Sequence, residues 1–523
     1  MPAPSETVSV RMYRGLLGDC FLLRHQIGDQ RFHALIDCGV LQCIGAAGAK
    51  PQTGKGAARL KQAIASLQKD TRGADGRSRL DLVVATHEHY DHLSGFILGH
   101  DAFRDDFEFG DVWVAWTEDP DDDQAKDIRA RGRKALSALK FIADRSTAFG
   151  VDGDAQARLS VIRDLLQFYD ADIEAWAPEP DGLGAAAGTS KPKPAYDPAR
   201  DRPRSCANAI DWLRHRATGK VSYLEPGDVV TFGLGERLTA KVMGPPRKAE
   251  RLLQLDPSRD GGREVYLLRP GDAAPLESRL RLGLAKGDPG LAGPADLPFS
   301  PRFRRRESRT SKHLTERLYR AKESSRRRID GEWLETAEHL AMKIDGDVNN
   351  TSLVLAIETR DRHVLLFPAD AQVGNWLSWH DQRYPRTASA VGTESAADIL
   401  GRVVLYKVGH HGSHNATARD QGLELMTSPH LAAMIPVVED VAGEQKTRHN
   451  PTGWAMPFRP LAQRLEDLTA KRILKGDGKR ADEEQAFANS LFGLTYAGAG
   501  ADPLWVEVSL PVETPDPAHL THL

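Results

Sequence analysis

Apolar residues in the first 120 positions occur in short blocks bounded by glycine and aspartate, a pattern typical of β-strands. Residues 56–70 (GAARLKQAIASLQKD) instead repeat their apolar side chains at helical spacing. The predicted strands are VSVRMY (8–13), CFLLRH (20–25), FHALIDCGV (32–40), LDLVVAT (80–86) and VWVAW (112–116). The amino-terminal part of the chain is therefore predicted to form a sheet accompanied by a helix.

The same kind of pattern resumes in the second half of the chain. Residues 220–246 are predicted to contain strands, and SLVLAIE (352–358) and HVLLFPAD (363–370) are predicted to pair as a hairpin. The remaining predicted elements are strand VVLYKV (403–408), a helix, strand LAAMIPV (431–437), a helix around PLAQRLEDLTAK (460–471) and strand LWVEVSLPV (504–512). Because β-rich and αβ units alternate at both ends, an α/β fold is expected.

Two long stretches interrupt this alternation. Residues 121–221 are helical in pattern and then rich in Pro, Gly, Ala and Lys, and residues 247–330 are polar and basic. A chain of 523 residues exceeds the usual size of one compact domain, so two domains or one heavily inserted domain are expected. Since strands lie on both sides of each stretch, we predict a single domain over 1–523 with insertions at 121–221 and 247–330.

Composition narrows the class of protein. Forty per cent of the residues are hydrophobic, which suits a sizeable core, and the formal net charge of −3 points to no particular partner. Four cysteines lack CxxC spacing and disulfide density, which predicts reduced thiols. The amino terminus does not resemble a signal peptide, and no apolar run approaches the length of a membrane span. We expect a cytoplasmic protein without membrane contact; the oligomeric state is not indicated.

The most uneven charge lies at the end of the second insertion. Between 301 and 330 there are ten Arg and two Lys against three Glu and one Asp. A helical face carrying the arginines of 304–306 or 326–328 could neutralise several phosphates, which would make the run 301–328 a nucleic-acid contact. A solvated or acid-paired run is the alternative interpretation.

The densest group of ionisable residues directly follows the predicted strand LDLVVAT. In THEHYDH (86–92), His87 and His89 lie two apart on an extended loop, and Asp91 and His92 follow one turn later at the start of a predicted helix. Imidazole and carboxylate at such spacing are the ligands of a Zn2+-type centre, where a bound water has a pKa of about 7. A polar helix cap would not require four ligand-type residues, so the pattern predicts a metal site.

The motif THEHYDH resembles the signature of the metallo-β-lactamase superfamily, a four-layered αβ/βα sandwich with one or two metal ions at the sheet edges. Other segments are similar, in order, to the ComEC-like branch of that superfamily, whose namesakes act in DNA uptake. These segments are GLLGDCFLLR, FHALIDCG, YLEPGDVVTFG, NNTSLVLAIE, HVLLFPAD and LYKVGHHGSHNAT. The resemblance leaves out the two insertions, and without the membrane channel of the DNA-uptake proteins no DNA transport is expected.

The resemblance implies roles for individual residues. Asp37 would be a buried carboxylate that orients the histidine loop from behind the metal ligands, although a turn aspartate is the alternative. Asp370 would bridge two metal ions, and His410 or His411 would be the last ligand, with His410 favoured. Asp91 would both bind metal and act as a catalytic residue that orients the attacking water.

The segment HHGSHNAT is expected to lie on the substrate side of this site. Small hydroxyl and amide side chains before a helix starting near Thr417 would form an anion site for a phosphate, or alternatively an ordinary helix cap. The predicted substrate-binding residues are His411, Ser413, Asn415 and His449, and His414 is a candidate proton donor or a solvent-facing residue.

One departure from the superfamily pattern concerns the strand pair in 229–243. The superfamily usually continues with Pro-Gly-His, whose histidine completes the first metal site, whereas this chain has Gly-Pro-Pro at 244–246. The first site would then hold only His87, His89 and the shared Asp370, which predicts a weaker site. A donor from an insertion could take the place of the histidine.

These expectations converge on a metal-dependent hydrolase. Phosphodiester hydrolysis, as by a phosphodiesterase or nuclease, is the leading hypothesis. The alternatives are hydrolysis of a small ester, lactone or thioester at the same centre, or a non-catalytic, metal-stabilised interaction protein. The fold alone does not determine the substrate.

The donor count predicts one tightly held Zn2+ or Mn2+ per chain after purification, with a second ion binding only when added, because a cation is held less tightly as donors are lost. Replacement of His87 by alanine should leave the tight ion largely in place. Metal analysis before and after extensive dialysis measures how many ions the wild-type protein and the His87 variant retain. Two equivalents of zinc surviving dialysis would show that another residue completes the first site.

Overall fold

The computed structural model describes residues 5–41, 55–73, 75–145, 162, 166, 196–254, 343–386, 392–444 and 453–513. Helices and strands are interleaved throughout these ranges, so the α/β class is confirmed. His449 and the basic run 301–328 lie outside the described residues, as do most of 247–330 and residues 146–195 apart from two positions. The division into one domain with two insertions stays a prediction.

An eight-stranded mixed sheet contains the five strands predicted in the first 120 residues. Its members are Glu6–Tyr13 (β1), Cys20–Ile27 (β2), Gln30–Cys38 (β3), Ser78–Ala85 (β4), Phe107–Ala115 (β5), Val221–Leu224 (β6), Gly493–Tyr496 (β16) and Trp505–Val512 (β17). They lie in the order β16-β17-β1-β2-β3-β4-β5-β6, and β3 to β6 run parallel. The carboxyl ends of β3 and β4 therefore meet at one edge, which places Asp37 beside the loop that follows β4.

A seven-stranded sheet is built mainly from the second half of the chain. Its members are Val229–Phe232 (β7), Leu238–Gly244 (β8), Val354–Glu358 (β9), Val364–Phe367 (β10), Val403–Lys407 (β13), Ala432–Ile435 (β14) and Ile473–Lys475 (β15). Their order is β15-β14-β13-β10-β9-β8-β7, and Tyr384–Pro385 (β11) pairs separately with Thr393–Glu394 (β12). The predicted hairpin is confirmed as β9 and β10, while β10, β13 and β14 are parallel. Asp370 and the two histidines after β13 thereby reach the same sheet edge.

The described helices include those predicted at 56–70 and 460–471. They are Lys55–Asp70 (α1), Tyr90–Leu98 (α2), His100–Asp106 (α3), Asp123–Arg145 (α4), Cys206–Arg216 (α5), Ala249–Leu252 (α6), 343–349 (α7), Val373–Ser378 (α8), Ala396–Leu400 (α9), Glu439–Glu444 (α10), Arg459–Thr469 (α11) and Arg480–Phe487 (α12). Side-chain caps begin α4, α5 and α9: Asp122 Oδ1 accepts the Ala125 amide at 2.8 Å at α4, the Ser205 side chain accepts a hydrogen bond from the Asn208 amide at α5, and a capping box of Ser395 and Asp398 opens α9. Within the described ranges, no helix has both the length and the apolarity needed to cross a bilayer.

The two sheets share an apolar cluster. Val8, Val10 and Met12 of β1 and Leu355 and Ile357 of β9 belong to it, and each is at most 2% exposed. Because side chains alternate between the faces of a strand, these positions define the inner face of each sheet. On their other faces, the first sheet packs against α1, α2, α3 and α5, and the second against α8, α9 and α11.

Described parts of the stretch 121–221 bury side chains in these same clusters. Leu136 and Leu139 of α4 join the cluster on the helix side of the second sheet, and Trp212 and Leu213 of α5 join the one beside the first sheet. A self-contained domain would close its apolar residues on one another instead. Most of residues 146–195 lies outside the described part, so the assignment of an insertion is left as a prediction.

The helix expected to begin near Thr417 is not formed, so that prediction was wrong. Residues 413–422 form turns and bends, and only Leu423–Leu425 makes a short 3-10 turn. The carbonyl of Ala416 accepts a hydrogen bond from the Trp376 indole nitrogen at 3.1 Å, and the Ser413 hydroxyl donates to the Asn415 side chain at 2.5 Å. These local bonds compete with helical hydrogen bonding, and the proposed anion site loses its helix terminus.

Trp376 offers a test of the core. Sequence favours core packing over base stacking for Trp376 and Trp379, and both are fully buried with ring centroids 4.0 Å apart. Trp376→Ala should lower the free energy of unfolding by about 3–5 kcal/mol, because a large cavity is left. Thermal unfolding measures this, with Leu253→Ala, at a side chain 44% exposed, as the control with little expected change. A normal melting temperature in Trp376→Ala would contradict the assignment to the core.

Candidate metal centre

The loop carrying the histidine motif is held close to the end of β3 by two glycines. A Cβ on Gly39 would lie 2.2 Å from the carbonyl oxygen of Asp91, and one on Gly95 would lie 2.3 Å from the sulfur of Cys38. The amide of Asp19 also donates to the Asp91 carbonyl at 2.9 Å. Only glycine at both positions permits this approach, which fixes the first turn of α2 and thus Asp91 and His92.

Asp37 contacts the histidine loop from the end of β3. Its Oδ1 accepts the Thr86 backbone N–H at 2.9 Å, and its Oδ2 accepts the Thr86 hydroxyl at 2.6 Å. The same Oδ2 accepts from Nδ1 of His92 at 2.8 Å. The carboxylate is 1% exposed, so these three donors supply the hydrogen bonds that a buried carboxylate needs.

Three imidazoles in the site donate a hydrogen bond through Nδ1. His92 Nδ1 donates to Asp37, and His411 Nδ1 donates to the carbonyl of Pro436 at 2.7 Å. His87 Nδ1 lies 3.1 Å from the Thr86 hydroxyl oxygen, which accepts because its own proton goes to Asp37. A neutral imidazole has one N–H, so Nε2 of each ring carries a lone pair whenever that ring is neutral.

Those Nε2 atoms point at other basic groups. His92 Nε2 lies 3.2 Å from Asp370 Oδ2, and His411 Nε2 lies 2.9 Å from Asp91 Oδ2. His87 Nε2 lies 3.1 Å from His89 Nδ1. A lone pair facing a carboxylate is repulsive unless a proton or a cation lies between them. The second oxygen of Asp91 (Oδ1), Oδ2 of Asp370 and Nε2 of His92 are all buried without a hydrogen-bond partner.

These atoms form groups with the spacing of metal ligands. One group is His87, His92 and Asp370, and another is Asp91, Asp370 and His411; in each, the donor atoms lie within 4.8 Å of one another. All five residues are buried, and Asp370 belongs to both groups. The arrangement is compatible with a metal site in which Asp370 is shared.

The charges of the buried carboxylates in the cluster favour the binding of a cation or a proton. Burial lowers the pKa of His92, but the surrounding carboxylates of Asp370, Asp19 and Asp91 outweigh burial and raise it well above its usual value. Burial raises the pKa of Asp91, but His92 and His411 together hold it well below its usual value. Asp91 and Asp370, whose pKa values are both lowered, are therefore charged and draw a cation or a proton to the imidazole side of the cluster.

Two residues that sequence reasoning missed, Asp19 and Lys407, support Asp370. Lys407, the last residue of β13, is 2% exposed; its ammonium group pairs with Asp19 and lies 3.5 Å from Asp370 Oδ1. It also donates to the Ala369 carbonyl at 3.1 Å, and the His410 amide donates to Asp370 Oδ1 at 2.9 Å. With Oδ1 held this way, Oδ2 is directed at His92. A lysine ending an otherwise apolar strand was the available signal.

Asp345 was also missed. It lies in α7, and its Oδ1 is 3.6 Å from His89 Nε2. Burial and the negative charges of Asp91 and Asp370 raise the pKa of Asp345 to about 7. At the Gly-Pro-Pro position, the Pro245 carbonyl instead accepts a hydrogen bond from the Trp116 indole at 2.9 Å. Sequence reasoning did not single out Asp345 because it lies outside the quoted motifs, four residues before NNTSLVLAIE.

The structure brings His411 rather than His410 into contact with Asp91. Both residues have positive φ, 43° and 53°, and the turn directs only the second ring to the Asp91 carboxylate. His410 has a buried Nδ1 without a hydrogen-bond partner and is outside the two groups around Asp370.

The contacts of the other predicted substrate-side residues are local where the structure describes them. His414 is exposed, with its ring centroid 6.1 Å from that of Phe458. The buried Ser413 donates to Asn415, so its hydroxyl proton is already engaged. His449 lies outside the described residues. Ser413 and Asn415 thus bind each other, and within the described residues neither makes a hydrogen bond to Asp91 or Asp370.

Comparison with protein-family models found no match, and comparison with curated proteins found no significant relative. The relation to the metallo-β-lactamase superfamily therefore stays a resemblance carried by motifs.

Lys407 provides a test of the charge balance in this centre. Lys407→Met should destabilise the protein by about 3–5 kcal/mol, because it leaves buried carboxylates without their ammonium partner. Added Mn2+ should recover part of the loss, since a cation can offset the same charges. Thermal unfolding with EDTA and with Mn2+ measures both effects.

The matched control is Lys475→Met, which removes a lysine 37% exposed and paired with Glu439. An exposed pair contributes about 0–1 kcal/mol, so little change is expected. Equal losses in the two variants would contradict the special role of Lys407.

Proposed function

We propose that this protein is a metal-dependent hydrolase with the four-layered αβ/βα sandwich of the metallo-β-lactamase superfamily, in the ComEC-like branch. The observation that carries the proposal is the set of buried histidines whose Nε2 atoms face Asp91 and Asp370. Further support comes from the order of the motifs and from the two sheets that share an apolar cluster, with helices on their other faces.

The donors would be four imidazoles and two carboxylates. They are His87, His89, His92, His411, Asp91 and Asp370. We favour His411 over His410 as the last ligand because its Nδ1 is already used as a donor to a carbonyl and its Nε2 faces Asp91. Nitrogen and oxygen donors without thiolate suit Zn2+ or Mn2+. When bound, such an ion would supply Lewis acidity and lower the pKa of a bound water to about 7.

The chain's own residues would then orient and deprotonate the nucleophile. Asp91 Oδ2 is engaged by His411, whereas Oδ1 is buried and has no hydrogen-bond partner. Oδ1 would accept the proton of the attacking water. The close approach of Gly39 and the hydrogen bond from the Asp19 amide to the Asp91 carbonyl would hold the residue in position for this transfer. Lys407 would keep Asp370 oriented and charged throughout.

We propose a phosphodiester as the substrate, as in a phosphodiesterase or nuclease. Asp19, Asp37, Asp91 and Asp370 surround the cluster, and the described cation among them is Lys407. With all four carboxylates ionised and the imidazoles neutral as ligands, one divalent ion would leave this group net negative, which disfavours an anionic phosphodiester, whereas a second ion would make it net positive. Phosphodiester hydrolysis should therefore depend on the second ion, and hydrolysis of a neutral ester should depend on it less. The basic run 301–328 remains a proposed contact for nucleic acid.

Asp91→Asn should lower kcat about 100- to 10,000-fold, because an amide cannot accept the proton. The assay uses single-stranded DNA, RNA, cyclic dinucleotides and p-nitrophenyl esters, each with one and then two equivalents of Mn2+. Phosphodiester hydrolysis should rise with the second equivalent. Asp101→Asn, at a side chain 65% exposed on α3, is the control that should retain full activity.

Other outcomes would favour the alternatives. Ester hydrolysis that needs only one equivalent, without phosphodiester hydrolysis, would support an esterase, lactonase or thioesterase. A fully loaded protein inactive on every substrate would support the metal-stabilised interaction protein instead.

A further inference from the structure

We propose that Asp345 is a positioning residue of the first metal site, where it fixes the tautomer of His89 and so compensates in part for the missing histidine at 244–246. The inference rests on the proposed function because it concerns the same metal site. It assigns a role to a carboxylate that lies outside every recognised motif.

The geometry places Asp345 behind His89. The Nδ1 of His89 lies 3.1 Å from His87 Nε2, and its other nitrogen, Nε2, lies 3.6 Å from Asp345 Oδ1. The His89 side chain is 2% exposed and that of Asp345 is 21% exposed. A small rotation of the carboxylate would shorten this contact to a hydrogen bond, so Asp345 can accept an N–H from the ring nitrogen remote from His87.

The tautomer of His89 decides whether the histidine pair can bind a cation. His87 Nδ1 already donates to Thr86, so His87 Nε2 can only accept. If His89 carried its proton on Nδ1, it would donate to His87 Nε2, and its own lone pair would lie on Nε2, facing Asp345 and not the metal site. If it carries its proton on Nε2, both lone pairs face the same point and a cation can bind both. A carboxylate next to Nε2 favours the second tautomer.

Asp345 is itself fixed by its helix. Asn349, one turn later in α7, is fully buried and lies with its amide nitrogen 3.4 Å from Asp345 Oδ2. The neighbouring Ile344 is 5% exposed and packs into the apolar cluster beside the second sheet. The carboxylate is therefore held on a packed element, as a residue that orients a metal ligand requires.

The position of Asp345 also explains how a site lacking one imidazole could retain affinity. A carboxylate hydrogen-bonded to the far nitrogen of a ligating histidine raises the basicity of the nitrogen that binds the metal. Asp345 would thus strengthen His89 as a donor without adding a ligand of its own. The first site would remain weaker than the second, as the donor count predicts.

The test compares Asp345→Ala and Asp345→Asn in the full-length protein. Asp345→Ala should weaken binding of the second Mn2+ equivalent about 10- to 100-fold, the usual cost of losing such a partner. In Asp345→Asn the affinity for the second Mn2+ equivalent should fall less, because the amide oxygen of asparagine can still accept the N–H. Isothermal titration with Mn2+ measures the affinities.

The matched control is Asp347→Asn. Asp347 lies two residues further along α7 and pairs with Lys343 at 2.9 Å, so its loss tests the helix without touching His89. Binding of both equivalents should be unchanged in this variant. Unchanged binding in Asp345→Ala as well would overturn the proposal.

Two spectroscopic measurements separate this role from others. In the metal-free protein, the 15N signals of His89, identified with His89→Gln, should show the Nε2–H tautomer and change to Nδ1–H in Asp345→Ala. In protein loaded with Co2+, the absorption spectrum should keep the same coordination number in Asp345→Ala. Loss of a ligand in the Co2+ spectrum would show that Asp345 binds the metal directly, which would refute the proposal. An unchanged tautomer of His89 in Asp345→Ala would also refute it.

Failure of the proposed function is a separate outcome. If the wild-type protein binds no cation, the proposed function fails, but the tautomer of His89 in the metal-free protein still decides the role of Asp345.

Discussion

The burial of several carboxylates around one imidazole is the constraint on which the candidate centre depends. Asp19, Asp37, Asp91 and Asp370 all lie within 4 Å of His92 nitrogens, and none is more than 2% exposed. Carboxylates taken out of water cost several kcal/mol each unless positive charge or hydrogen bonds meet them. Every donor close to the cluster, from the Thr86 hydroxyl to the His410 amide, offsets part of that cost.

The two sheets supply different halves of this arrangement. The first sheet delivers Asp37 at the end of β3 and the histidine loop after β4, and the second delivers Asp370 after β10 and His411 after β13. Parallel neighbours bring each pair of strand ends to one edge, and the shared apolar cluster brings the edges together. The site therefore depends on sheet packing as much as on the motif.

Much of this could be predicted from sequence because it is local. Strand patterns, the hairpin of β9 and β10, and the spacing of His87 to His92 each involve a few neighbouring residues. The choice between His410 and His411 was less accessible, since two adjacent histidines differ only in how the backbone turns after Gly409. The expected helix near Thr417 was wrong because a distant tryptophan, Trp376, takes the carbonyl of Ala416.

The supporting residues were harder still to predict. In the sequence, Lys407 simply lies near the end of a predicted strand. Its partner Asp19 lies 388 positions earlier in the chain, so only the folded structure shows the ion pair between them. Asp345 directly follows the segment GEWLETAEHLAMKI (331–344), whose pattern predicts a helix but not a ligand, and only the placement of α7 brings it to His89. Long-range pairs of this kind leave no trace in the spacing of a single sequence.

Lys407 has a further consequence for the metal-free form of the protein. A covalently tethered ammonium group cannot be chelated, exchanged or diluted, so part of the positive charge in the centre is present as soon as the chain folds. Synthesis and metal loading would then be separate events. For the metal-dependent hydrolase proposed above, a shortage of the ion would leave a folded reserve of inactive molecules, and activity could return when the ion does, without new translation.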